Sequence, residues 1–168
     1  AYTAHDLDDG LRSGLLNPRE LPEVPIWNEL AEQLEIDPCA DLDKIDRHRL
    51  VRSLIGWGVT DVVQCTSQRL AAEEIDSVQK LRERAEPVIG FSEAAAPKHG
   101  ALKLFLYQAL YRHWRVMRMA TKAQRVLQAL FEAYTQEPGQ LPDSVQDRRD
   151  GSTDPLERIV CDLSLIHI

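Results

Sequence analysis

Between about Arg115 and Tyr134, apolar residues recur at spacings of three and four: Val116, Met119, Ala120, Ala123, Val126, Leu127, Leu130, Phe131 and Tyr134. This is the period of one helical face, and it is incompatible with a strand, whose faces alternate every second residue. A helix of this length with one apolar stripe gains most of its stability by packing that stripe against another element. No other stretch of the chain shows convincing strand alternation, so the fold class is all-α.

The same period predicts the other elements. A helix runs from Tyr2 to about Leu16 and stops at Asn17-Pro18. A second runs from Pro25 to Leu34, with proline in the first turn and Ile26, Leu30 and Leu34 on one face. A long helix spans about Leu42 to Glu73, with Gly56 and Gly58 flanking Trp57, which points to close packing by another helix or to a bend. A short helix then gives way to a loop marked by Pro87, Gly90, Pro97 and Gly100, followed by a helix from Ala101 to Tyr111. Residues 137–155 read as loop, and a last helix begins near Asp154 with Pro155 in its first turn.

Composition narrows the function classes. The 168 residues suffice for one domain with a real core, and 43% apolar with 28% charged residues is ordinary for a globular protein. No run approaches the ~18 apolar residues of a membrane span. Cys39, Cys65 and Cys161 are odd in number and far apart, which fits neither a disulfide framework nor a zinc site and suits a reducing cytoplasm. A net charge of −7 argues against a general nucleic-acid binder. Locally the balance reverses. Arg112, Arg115, Arg118, Lys122 and Arg125 follow one another with no acid among them, and the last four lie along one side of the predicted helix. Such a surface would suit a nucleotide effector or single-stranded nucleic acid, or it is a solvated face.

In the opening stretch "AYTAHDLDDGLRSGLL", Tyr2 and Asp6 stand four apart on one helical face. A flat ring beside an acceptor-only carboxylate suits a sugar, and an acidic first turn favouring the helix dipole is the plainer alternative. His5 and Asp9 form a second such pair, but an ion needs three or four ligands and no other cluster supplies them.

This stretch, together with "HRLVRSLIGWGVTDVV", "VIGFSE" and "LKLFLYQALYRHWRVMRMATKAQRVLQALFEAY", resembles the HD-domain deoxynucleoside triphosphate triphosphohydrolases, in particular the bacterial deoxyguanosinetriphosphate triphosphohydrolase-like proteins. The resemblance extends to about Asp162. It implies the helical C-terminal part of an HD-domain fold: residues 1–16 as the end of the active-site helix and 17–162 as a C-terminal helical region. It also implies a parent enzyme that hydrolyses a dNTP to deoxynucleoside and triphosphate with a divalent metal, Mg or Mn. The family's metal ligands would all lie ahead of Ala1, so the chain would be a fragment that holds no metal and is inactive alone. By the same resemblance Tyr2 packs on the deoxyribose and Asp6 accepts from its 3′-hydroxyl. Arg47 and His48 fall near further substrate contacts or open a solvated helix. A homo-oligomer with nucleotide effectors between subunits is the implied assembly. The ending "LSLIHI", residues 163–168, departs from the family pattern and reads as a non-native tail. The competing expectation is a standalone interaction module that uses the basic helix over 112–125.

Overall fold

The computed structural model describes residues 2–38 and 42–167; Cys39 and the last tail residue, Ile168, lie outside the described residues. Every regular element among the described residues is helical. No helix there is long and apolar enough to cross a membrane. The chain divides into two compact units, one ending at His113 and the other starting at Trp114.

The first unit opens with helix α1, Tyr2–Arg12, which is shorter than the sequence suggests. Its end is set by Gly14 at φ 67, a left-handed conformation that glycine adopts without a Cβ clash. The Leu15 and Leu16 amides then donate back to the Gly10 carbonyl at 3.0 Å, and Leu16 turns into the core. A 3₁₀ turn, Pro18–Glu23, is capped by Asn17, whose side chain accepts from the Arg19 amide. Helix α2, Pro25–Gln33, buries Ile26, Trp27, Leu30 and Ala31. Asn28 donates from Nδ2 to the Pro22 carbonyl at 2.6 Å, which fixes the turn to the helix that follows.

Helix α3, Lys44–Ala72, starts at Asp43, whose carboxylate accepts from the Asp46 amide at 2.7 Å. Only its first half enters the core, through Leu50, Val51 and Leu54. The paired glycines neither break nor shorten it. A Cβ on Gly58 would sit 3.8 Å from the Phe91 ring and one on Gly56 would meet nothing, so the neighbour here is a loop residue and no helix.

After the short helix α4, Val78–Arg82, comes helix α5, Ala95–Leu106, which begins six residues before the expected Ala101. Pro97 and Gly100, read as loop markers, lie inside it. Pro97 occupies the first turn, where the missing N–H has no intrahelical acceptor to lose. Helices α1, α2, α3 and α5 enclose one core around Leu7, Leu21, Trp27, Leu50, Leu102 and Leu106. The expected helix end at Tyr111 is a π-helical turn, Tyr107–Tyr111, closed by the Arg112 amide on the Tyr107 carbonyl at 3.1 Å.

The second unit consists of helix α6, Trp114–Gln136, a 3₁₀ turn at Pro138–Gln140, and two further helices. Helix α7, Asp143–Asp150, replaces part of the expected loop. It carries Asp143 in its first turn, Arg148 and Arg149 in its last, and ends at Gly151, so its signals are charge and capping and not apolar period. Helix α8, Leu156–His167, continues through residues 163–167 of the tail. Ile159 and Val160 of α8 are buried, as is Leu141 ahead of α7, and Asp162 accepts from Arg148 at 3.3 Å and pairs with Arg158 at 3.2 Å.

The apolar stripe of α6 departs from expectation. No residue of α6 is buried. The 23 residues extend about 35 Å, whereas the twelve of α8 reach only about 18 Å. Two short helices cannot cover the stripe, and most of it stays in solvent.

Candidate functional site

Tyr2 and Asp6 stand on one face of α1, as the four-residue spacing requires. The Tyr2 ring is 86% exposed. Asp6 is half-buried, and its Oδ2 accepts a hydrogen bond from the Tyr111 hydroxyl in the π-helical turn. That contact joins residues 105 positions apart and was not visible as a pair in the sequence. It raises the Tyr111 pKa above its usual 10.0, chiefly because the phenol donates to Asp6, with burial and the Asp6 charge adding to it. Tyr111 therefore stays a protonated donor at neutral pH. Beside it lies an open cleft lined by Asp6, Asp9, Gly10, Ser13 and Leu110.

Gly10 lets the walls of this cleft close. A Cβ there would fall 2.5 Å from Leu16 Cδ1 and 3.3 Å from Leu110 Cδ1. A side chain there would displace Leu16 and press on Leu110 in the turn that holds Tyr111.

Arg47 and His48 do not join this group. Arg47 donates from Nε to Asp8 Oδ1 at 2.9 Å, with both side chains largely buried, and so ties the start of α3 to α1. His48 is exposed. His5 and Asp9 also face solvent, and Asp9 lies 3.8 Å from Arg12. Among the described residues no three His, Cys, Asp or Glu side chains are grouped to hold a metal ion. The divalent metal implied by the family resemblance therefore does not fit the described side chains.

A second cavity of about 270 Å³ opens between α1, α3 and α5, lined by Thr3, Leu54, Trp57, Val62, Phe91 and His99. Phe91 stacks on Trp57 with ring centroids 5.8 Å apart and meets His99 at 4.5 Å. Burial, then the charge of Lys103, lowers the His99 pKa below its usual 6.5. The "VIGFSE" loop that carries Phe91 is held from two sides. Arg69 donates to the Val88 and Phe91 carbonyls at 3.2 and 2.9 Å, and Asp61 accepts from the Ser92 amide and hydroxyl at 2.8 and 2.7 Å. Neither Asp61 nor Arg69 stands out in the sequence, since a carboxylate and a guanidinium on a solvated helix face look the same as these.

In the second unit Arg118, Lys122 and Arg125 line one shallow depression with Met117, Thr121 and Val126. Arg115 lies with its guanidinium 5.3 Å from the Trp114 ring centroid.

Residues 89–163 match the phosphohydrolase-associated domain. The chain is 41% identical over 162 residues to a deoxyguanosinetriphosphate triphosphohydrolase-like protein of Deinococcus deserti, a match covering 96% of this chain and 42% of that protein. It is 38% identical over 164 residues to the deoxyguanosinetriphosphate triphosphohydrolase-like protein 1 of Deinococcus radiodurans, covering 96% and 43%. With the Geobacter sulfurreducens protein of the same description the identity is 36% over 163 residues, covering 96% and 42%. The chain thus spans about two fifths of the length of the curated relatives it matches. Over almost its whole length the chain is thus similar to deoxyguanosinetriphosphate triphosphohydrolase-like proteins, and its residues 89–163 match the phosphohydrolase-associated domain.

Proposed function

We propose that this chain is part of a metal-dependent hydrolase that converts a dNTP, dGTP or one like it, to deoxynucleoside and inorganic triphosphate, and that it supplies one wall of the deoxyribose site. The observation that carries this reading is the hydrogen bond from Tyr111 to Asp6 beside the exposed Tyr2 ring. Tyr111 engages one carboxylate oxygen and fixes the rotamer. The other oxygen is left to accept from a 3′-hydroxyl, and the Tyr2 face packs on the furanose near its 2′ carbon, where an added hydroxyl would collide. Asp6 and Tyr2 thus orient the sugar and select against ribose. In this reading a divalent metal, Mg or Mn, would be held by residues of the longer protein and would supply Lewis-acid chemistry there. The 168-residue chain alone would then release no triphosphate from any dNTP with magnesium or manganese.

The test is Asp6→Ala in the full-length protein. Losing a hydrogen bond to a charged acceptor costs ~1.5–3 kcal/mol, which lowers kcat/KM by about one to two decades while metal content stays unchanged. A variant that loses its metal would make Asp6 a ligand and overturn the assignment. Metal-dependent turnover by the chain alone, above a mock preparation, would refute the fragment reading.

A further inference from the structure

Asp61 and Arg69 are half-buried on the second half of α3, and both reach the loop between α4 and α5. Asp61 meets Ser92 twice: Oδ2 accepts from its amide at 2.8 Å and Oδ1 from its hydroxyl at 2.7 Å. A serine hydroxyl has one proton, and donating it to Asp61 leaves the oxygen free to act only as an acceptor. Ser92 Oγ accepts from the Ala95 amide at 3.2 Å, and the Ser92 carbonyl accepts from the Ala96 amide at 2.9 Å. These are donors of the first turn of α5, for which Ala94 offers no side-chain cap. Arg69 ties the same loop to α3 through the Val88 and Phe91 carbonyls. Gly90 admits it, since a Cβ there would stand 3.0 Å from its Nη1.

The far end of this helical rod is the Tyr111–Asp6 contact. From Ala95 through the π-helical turn to Tyr111 the span is about 24 Å. Between its ends the rod is held by Leu102 and Leu106, whose burial is non-directional. A slide of about 1 Å would leave both leucines buried and would break a hydrogen bond. We infer that Asp61 is a positioning residue for Asp6: through Ser92 it fixes the axial place of α5, and so it sets the hydrogen bond by which Tyr111 orients the Asp6 carboxylate. The effect on Tyr111 stands on this geometry, and the effect on turnover rests on the sugar-site reading.

The test uses the full-length protein with labelled tyrosine. The Cζ resonance of Tyr111, assigned by its absence in Tyr111→Phe, reports its hydrogen bond, and Asp6→Ala gives its position with that bond gone. Asp61→Asn keeps the side-chain shape but sets an amide donor against a Ser92 donor. It should move the resonance toward the Asp6→Ala position and lower kcat/KM for a dNTP about three- to tenfold. In a Tyr111→Phe background the same change should cost less than about twofold, because its route to Asp6 is already cut. Ser92→Ala should repeat both effects more mildly, and Ser92→Thr, which keeps the hydroxyl, should restore them. A Tyr111 resonance unmoved in both Asp61→Asn and Ser92→Ala overturns the inference. So does a cost in the Tyr111→Phe background equal to that in the wild type, which is the signature of a merely structural role. A resonance that moves while dNTP turnover does not upholds the positioning of Tyr111 and overturns the sugar-site reading instead.

Discussion

The Arg47–Asp8 pair offers a measurable distinction between holding the site's helix in place and touching a ligand. The two side chains are 17% and 16% exposed and meet at 2.9 Å. At that separation and an effective dielectric near 20 the attraction is about 6 kcal/mol before desolvation. Removing both groups from water costs several kcal/mol, so the net value should lie above the ~0–1 kcal/mol of exposed pairs and below the 3–5 kcal/mol lost on breaking a fully buried one. We expect a coupling energy of ~1–2 kcal/mol in a double-mutant cycle of Asp8→Ala and Arg47→Ala, read by urea unfolding at constant m. Arg12 does not substitute for Arg47, since it reaches Asp8 only at 4.0 Å with its side chain 60% exposed. The two single variants should destabilise alike and lower the proposed dNTP turnover of the longer protein alike, because each frees the same joint between α1 and α3. A coupling energy indistinguishable from zero would refute this. So would a loss of kcat/KM confined to Arg47→Ala, which would make Arg47 a substrate contact.

Gly10→Ala should destabilise by up to ~2 kcal/mol, because overpacking against Leu16 costs ~1–3 kcal/mol and the helical gain over glycine recovers only ~1. Gly56→Ala on α3, where a Cβ meets nothing within 4 Å, should instead stabilise by up to ~1 kcal/mol, and thermal melts of the pair check both signs. The raised pKa of Tyr111 favours the protonated phenol in the folded state. Its contribution is present below about pH 10 and lost as pH rises through the raised value, so the stability gap between wild type and Tyr111→Phe should close in alkaline titration. His99 has a lowered pKa, so its contribution is present above pH 6.5 and lost as pH falls through the lowered value. Replacing it with phenylalanine should flatten the acid limb of the unfolding profile below that point.

What the sequence disclosed depended on which force shaped each element. Helix α2 was legible because Pro25 opens it and Ile26 and Leu30 repeat on its buried face. The start of α3 fell two residues after the expected Leu42, at Lys44, with Asp43 as a cap that the sequence reading did not single out. Helix α7 was read as loop because its eight residues "DSVQDRRD" offer no apolar period, only charges suited to its ends. The start of α5 was misplaced because Pro97 and Gly100, strong loop signals elsewhere, cost little in its first turns. At the candidate site, spacing alone put Tyr2 beside Asp6, since four residues make about one turn. It could not supply Tyr111, which arrives from 105 residues away through the packing of α5 against α1. The burial expected for the α6 stripe from its period is not met among the described residues, because period says nothing about which surface covers the stripe.

The π-helical turn at Tyr107–Tyr111 also bears on how this chain tolerates insertion and deletion. An i to i+5 turn accommodates one residue more than the α-helix would, so its formation amounts to a single-residue insertion absorbed within a helix. Deleting one residue between Tyr107 and Leu110 would let α5 continue regularly, with better hydrogen-bond geometry and no cost to the core residues before it. Because the extra residue is absorbed within the turn, the residues after it, Tyr111 among them, would keep their place around the helix axis. A lineage that lost the residue would keep both its fold and the Tyr111–Asp6 contact, so this turn can gain or lose one residue without disturbing the cleft.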